Sequence, residues 1–119
     1  MVGNVNGSNY ERELRDILRS EGWIVFRSAG SHFADLVALT PNTHMIIEVK
    51  STQDDVYYTS LNKESKEQFD LLNAHAKEGF NIYYYIRFKG RKPTWQRWKL
   101  PLEQYPAFKY VKNETIEEK

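Results

Sequence analysis

The stretch Asp35–Lys50 constrains this chain more than any other. It reads Asp-Leu-Val-Ala-Leu, then Thr-Pro-Asn-Thr-His, then Met-Ile-Ile-Glu-Val-Lys. Two short apolar runs of β type flank a segment rich in Pro, Asn and Thr, which predicts a hairpin. Side chains two apart on a strand project from one face, roughly 6 to 7 Å apart. Glu48 and Lys50 therefore point together, while Met45, Ile47 and Val49 point the other way. Asp35 heads the first run, so the hairpin can bring it beside Glu48.

Two carboxylates and an ammonium on one spot suit a Mg²⁺-dependent phosphodiesterase. Oxygen ligands hold a hard cation, and the lysine sits where an attacking water would form. The same residues also fit a plain solvated face, since half-exposed strands often carry Glu and Lys outward. Asp before a strand is an ordinary turn residue.

Upstream, Ser8 opens a helix whose apolar face is Tyr10, Leu14, Ile17 and Leu18, and Gly22 ends it. Glu11 lies about 20° from Leu18 on the helical wheel, at the border of the buried face. Arg12, Arg15 and Arg19 lie further round, outward. Glu11 has two readings that compete for one carboxylate: a site residue, or the N3 member of a capping box Ser8-Asn-Tyr-Glu11. Trp23–Arg27 is the first strand. Ser28-Ala-Gly-Ser31 is a small-residue loop able to approach a phosphate through amides and hydroxyls. His32 reads as an exposed loop residue.

Downstream, Ser51–Leu61 is polar and reads as a mobile loop leaving the site. A second helix runs from about Asn62 to Glu78 with Phe69, Leu72 and Ala76 inward, and Gly79 closes it. Asn81–Phe88 is an aromatic, β-branched strand, and Thr94–Lys99 returns after a turn at Lys89–Pro93. Phe108–Lys112 is a last strand. Helix, strand, strand pair, helix and strands predict an α/β fold: one domain over 1–119, a central mixed β-sheet flanked by helices, with flexible tails at 1–7 and 113–119.

Net charge is only +1, but six basic residues and no acid lie between Ile86 and Leu102. Such a stretch can neutralise phosphates, and Trp95 and Trp98 interleaved with Arg97 and Lys99 can stack on bases. Core packing is the commoner fate of tryptophan. With no Cys, thiolate and disulfide chemistry are excluded, and three dispersed His give no zinc-like spacing. No apolar run approaches the ~18 residues of a membrane span and no signal-peptide pattern is seen, so an intracellular, cytoplasmic protein is expected.

Laid out in this order, the residues resemble the archaeal and archaeal-virus Holliday-junction resolvases of the restriction-endonuclease-like, PD-(D/E)XK superfamily. The resemblance rests on Gly7-Ser-Asn-Tyr-Glu-Arg-Glu-Leu14, Arg27-Ser-Ala-Gly-Ser31, Ala34-Asp-Leu-Val-Ala-Leu39 and Ile47-Glu-Val-Lys-Ser51. One departure is Ala34, where the superfamily's name implies Pro; that position shapes the loop and supplies no ligand.

The resemblance implies a Mg²⁺-dependent endonuclease, with Mn²⁺ able to substitute, that binds four-way DNA junctions as a homodimer and makes paired nicks. It implies Asp35 and Glu48 as the metal-binding pair, joined by Glu11 from the helix and the Val49 carbonyl. Lys50 completes the motif, and Ser31 matches a loop serine associated with activity. Arg12, Arg27, Ser28, Tyr57, Tyr58 and Lys63 are the candidate DNA contacts. The alternatives are the same chemistry on other branched or linear DNA, or a DNA-binding module without chemistry.

Overall fold

The structure, a computed structural model, describes residues 2–28 and 34–112, with side chains from Asn9 onward. The predicted hairpin is there. Strand β2 (Leu36–Leu39) runs antiparallel to β3 (His44–Thr52), pairing Leu36 with Ile47 and Leu39 with His44. The Thr40 amide donates to the Thr43 carbonyl at 2.9 Å and closes the turn.

This hairpin lies inside a five-stranded sheet of order β1-β2-β3-β5-β6. β1 (Ile24–Arg27) borders β2, and β6 (Trp95–Lys99) borders β5 (Ile82–Phe88), both antiparallel. β3 and β5 are parallel, so the chain must cross over between them. Helix α2 (Lys63–Lys77) makes that crossover. Both helices end as their glycines foretold. Trp23 N–H reaches the Leu18 carbonyl and Gly22 N–H the Arg19 carbonyl, with Gly22 at φ 101°. Gly79 (φ 113°) and Phe80 repeat this geometry at the end of α2.

Each face of the sheet carries its own core. On one face α1 (Val2–Ser20) packs Leu14 and Leu18 against Val25, Leu36, Ala38, Met45, Ile47 and Val49. On the other, Phe69, Leu72 and Ala76 of α2 pack against Ile82, Tyr84, Ile86 and Phe88. β3 is thus covered on both faces. Its odd residues fill the first core, as the alternation predicts, and Glu48 lies on the second face at 2 % exposure.

Three expectations change. α1 begins at Val2, so Ser8 lies inside the helix and cannot be its N-cap; the capping-box reading of Glu11 lapses, and residues 2–7 are helical rather than a tail. Ser51–Leu61 is not one loop. β3 continues to Thr52, and β4 (Val56–Tyr58) pairs with β7 (Ala107–Lys109) in a second, two-stranded sheet. Of the predicted strand 108–112, the residues beyond Lys109 have left the ladder. The expected tail at 113–119 lies outside the described residues. No described helix is long and apolar enough to cross a membrane.

The C-terminal segment is tied to α2 by buried Asn73. Its amide donates to the Leu102 carbonyl at 2.8 Å, and its oxygen accepts the Leu102 N–H at 2.9 Å. Asn73→Ala leaves both backbone groups without these partners, a cost of about 2 kcal/mol. A drop in melting temperature of about 8 °C is expected in a thermal melt; no drop would mean the clamp carries no stability.

Candidate active site

The carboxylates come from three elements: Asp35 just ahead of β2, Glu48 on β3 and Glu11 on α1. Asp35 is held just ahead of β2 by three bonds. Its N–H donates to the Ile47 carbonyl (2.9 Å), its carbonyl accepts the Ser28 N–H (2.8 Å), and its Oδ2 accepts the Val49 N–H (2.8 Å). The last bond fixes the Asp35 side chain beside the Glu48–Lys50 segment, as the hairpin reading required. Glu48 Oε2 meets the Lys50 ammonium at 3.1 Å. Glu11 Oε1 takes the Arg27 guanidinium at 3.1 Å, a half-buried pair that joins α1 to β1.

These groups feel one another. Burial and then the Asp35 charge push the Glu48 carboxyl up to about 8, with Lys50 pulling the other way. Glu11 is also raised, first by burial and then by Asp35, against the lowering effect of Arg27. Asp35 therefore sits between two carboxylates that both resist ionising beside it. Burial works against the charge on Lys50, but Glu48 and Tyr57 outweigh it and hold the ammonium above its ordinary value.

A divalent cation fits this donor set on two observations. Glu48 Oε1 is buried with no hydrogen-bond partner, and buried polar atoms are seldom left so. The mutual repulsion of the acids is what a hard cation among them relieves. Among the described residues, no group of three or more His, Asp or Glu side chains is gathered as a ready-made metal site. The donors form two pairs that share Asp35.

The other sequence-derived candidates fall in different places. Ser31, like His32, lies outside the described residues. Arg12 is exposed on α1, and Lys63 is exposed with Glu67 at 3.9 Å. Arg27 is engaged by Glu11, and Ser28 offers its backbone to Asp35. Tyr58 is half exposed, and Tyr57 is buried at 7 %. Its ring belongs to the α2-side core. The basic stretch is likewise partly spent on folding. Arg87 pairs with Glu13 (3.3 Å), Arg91 with Asp55 (2.6 Å), and Arg97 lies over the Tyr83 ring. Trp95 is buried and donates to Glu13 at 2.7 Å, while Trp98 stacks on Phe108. Neither tryptophan is a platform for bases.

Sequence reasoning missed Glu13, which binds Arg87 and Trp95 and so locks α1 to β5 and β6. It also missed the groove of about 600 Å³ beside Lys50, lined by Asn62, Ser65 and Gln68 of the α2 start. No local pattern announces either, because both join segments distant in sequence.

Sheet order and flanking helices define a single mixed α/β domain, a central mixed sheet with a helix on each face. The chain belongs to the archaeal Holliday junction resolvase (Hjc) family, whose model matches residues 3–118. It is 38 % identical over 84 residues to the crossover junction endodeoxyribonuclease Hjc of Methanocaldococcus jannaschii, covering 71 % of this chain and 60 % of that relative. The chain thus spans about three-fifths of that relative's length. The solved structure of Archaeoglobus fulgidus Hjc, a Holliday junction resolvase from an archaeal hyperthermophile, superposes with a TM-score of 0.68. It shares 23 % identity, covering 87 % of this chain and 84 % of that one; the likeness is one of fold.

Proposed function

We propose that this chain is a metal-dependent endodeoxyribonuclease that resolves four-way DNA junctions by paired phosphodiester hydrolysis. The observation that carries the reading is the position of Asp35, bonded to the β3 backbone at Val49 and close enough to both Glu11 and Glu48 to repel their charges. Family membership supports it, as does the crossover junction endodeoxyribonuclease activity named for the M. jannaschii relative.

Asp35 and Glu48, with the Val49 carbonyl, would hold Mg²⁺ or Mn²⁺, and Glu11 would help from α1. A cation there supplies positive charge to the scissile phosphate and to the departing oxygen. Lys50, tethered to Glu48, orients the attacking water and offsets charge on the pentacovalent transition state. Arg27, paired with Glu11, and Arg12, next to Glu11 along α1, serve as phosphate contacts, with Ser28, Tyr58 and Lys63 as further contacts. A homodimer with two such sites accounts for paired nicks on a symmetric junction.

The test is cleavage of a labelled four-way junction and of a matched linear duplex, in Mg²⁺ and in EDTA. Paired nicks on the junction alone, absent in EDTA, are expected. Equal cutting of linear duplex would discard junction specificity and keep the site. Tight junction binding with no cutting in Mg²⁺ or Mn²⁺ would replace the nuclease by a binding module.

A further inference from the structure

Of the basic stretch between Ile86 and Leu102, folding uses Arg87, Arg91 and Arg97. Lys89 and Lys92 are left over. Both are exposed at the tip that joins β5 to β6, and neither forms an ion pair among the described residues.

The tip lies at the same end of the sheet as the candidate site. β3 and β5 are parallel, with Lys50 opposite Ile86 and Thr52 opposite Phe88. The next residue, Lys89, donates its N–H to the Thr52 carbonyl at 2.9 Å. Two residues along a strand and one strand across place the Lys89 backbone on the order of 10 Å from that of Lys50.

A solvated turn needs no scaffold, and this one is built. Arg91 donates its N–H to the Phe88 carbonyl at 3.1 Å, and its guanidinium reaches Asp55 at 2.6 Å and the Lys89 carbonyl at 2.9 Å. The Thr94 hydroxyl donates to the Arg91 carbonyl at 2.6 Å. From the other side, the Tyr110 hydroxyl donates to the Lys92 carbonyl, and the Gln96 amide exchanges two bonds with the Val111 backbone. These contacts dock the chain after β7 onto the hairpin. They bring Lys109 and Lys112 to the same end, both exposed and also outside any ion pair among the described residues. Of the acids there, Asp55 is taken up by Arg91, which leaves exposed Asp54 against four lysines. Ammonium groups held at one end of a fold repel, and an anion that spans them relieves the repulsion. A nucleic-acid strand is such an anion, with one charge about every 3.4 Å.

We propose that Lys89 and Lys92, with Lys109 and Lys112 beside them, form a phosphate-binding edge that holds a duplex arm a few nucleotides from the bond cut at Glu48 and Lys50. The ligand's identity as DNA rests on the nuclease reading; the placement and charge of the edge do not.

The test is equilibrium binding of a labelled four-way junction over a series of KCl concentrations, in EDTA so that no strand is cut. Lys89→Gln/Lys92→Gln is compared with Lys77→Gln/Lys99→Gln. The second pair removes the same charge from the opposite end of the sheet, where Lys77 closes α2 and Lys99 pairs with Tyr83. The tip variant is expected to bind roughly tenfold more weakly at low salt and to lose about 2 from the slope of log affinity against log salt, about one for each phosphate contact. Lys109→Gln/Lys112→Gln shows a loss of the same kind, and Lys77→Gln/Lys99→Gln keeps the wild-type slope. All three melt with the wild type, and with saturating protein in Mg²⁺ all three cut at its single-turnover rate. A tip variant with the wild-type slope overturns the proposal, and a wild type that cuts the junction then leaves the nuclease reading standing. Equal slope losses at the two ends also overturn it, because net charge alone then governs binding. If the wild type binds through the tip and cuts nothing, the nuclease reading falls and the binding edge stands. A wild type that binds no DNA overturns both.

Discussion

Glu48→Gln is expected to slow cleavage about a thousandfold while raising the stability of the metal-free protein at pH 8. The loss follows from removing a carboxylate that would hold the cation at the reacting phosphate. The gain follows from the environment of Glu48. Its carboxyl is pushed up to about 8 by burial and by Asp35, from an ordinary value of 4.5. Between those two values the unfolded chain has released this proton and the folded chain still holds it. Stability therefore falls as pH rises from about 4.5 to about 8, and the penalty is constant above that. Glutamine carries no charge and escapes the penalty. In EDTA the variant should melt above the wild type at pH 8, by a few kcal/mol of stability, and the gap should close near pH 5. Adding Mg²⁺ or Mn²⁺ should raise the wild type and leave the variant where it was, because only the former binds the ion in its folded state. A variant that melts below the wild type at pH 8 in EDTA would show that the Glu48 charge is satisfied without metal. A variant that cuts as fast would remove Glu48 from the chemistry.

The sequence shows where the β2–β3 hairpin lies because period-two alternation sorts Met45, Ile47 and Val49 from Glu48 and Lys50. It shows α2 because Asn62 and Gly79 bracket an apolar face, and the structure places the N-cap at Asn62. Those signals are local. The depth of Glu48 is not legible, since alternation alone reads as a half-exposed strand. Burial on both faces follows from β3 lying between β2 and β5, a consequence of sheet order. β4 reads as loop because three residues in a polar segment give no pattern. Its pairing with β7 spans some fifty residues of chain. The start of α1 is hidden by Gly3, Asn4, Asn6 and Gly7, poor helix formers ahead of a plausible cap at Ser8. The Arg27–Glu11 pair joins a helix to a strand, and no spacing rule links them. The basic and aromatic alternation of Trp95–Lys99 is visible, but it fits packing as well as stacking. Contacts to Glu13 and Phe108 settle it as packing.

Phe69→Ala is expected to bring the largest loss of stability, about 3 to 5 kcal/mol. Phe69 is fully buried at the centre of the α2-side core, with Tyr84 at 6.2 Å and Tyr105 at 5.7 Å between ring centroids. It joins α2 to the crossover strand β5, and Tyr105 brings the C-terminal segment onto the same ring. Truncation leaves a cavity bordered by rigid neighbours: sheet residues on one side, and on another the segment that Asn73 clamps to α2. Such a cavity collapses poorly, so the cost should lie toward the upper end. A domain of this size holds about 5 to 15 kcal/mol in all, and the melting temperature should fall by about 15 °C. Leu71→Ala is the matched control on the same helix. Leu71 is 42 % exposed, and its truncation should cost under about 1 kcal/mol. Paired thermal melts decide the matter. Equal losses in the two variants would mean that α2 does not present Phe69 to the sheet.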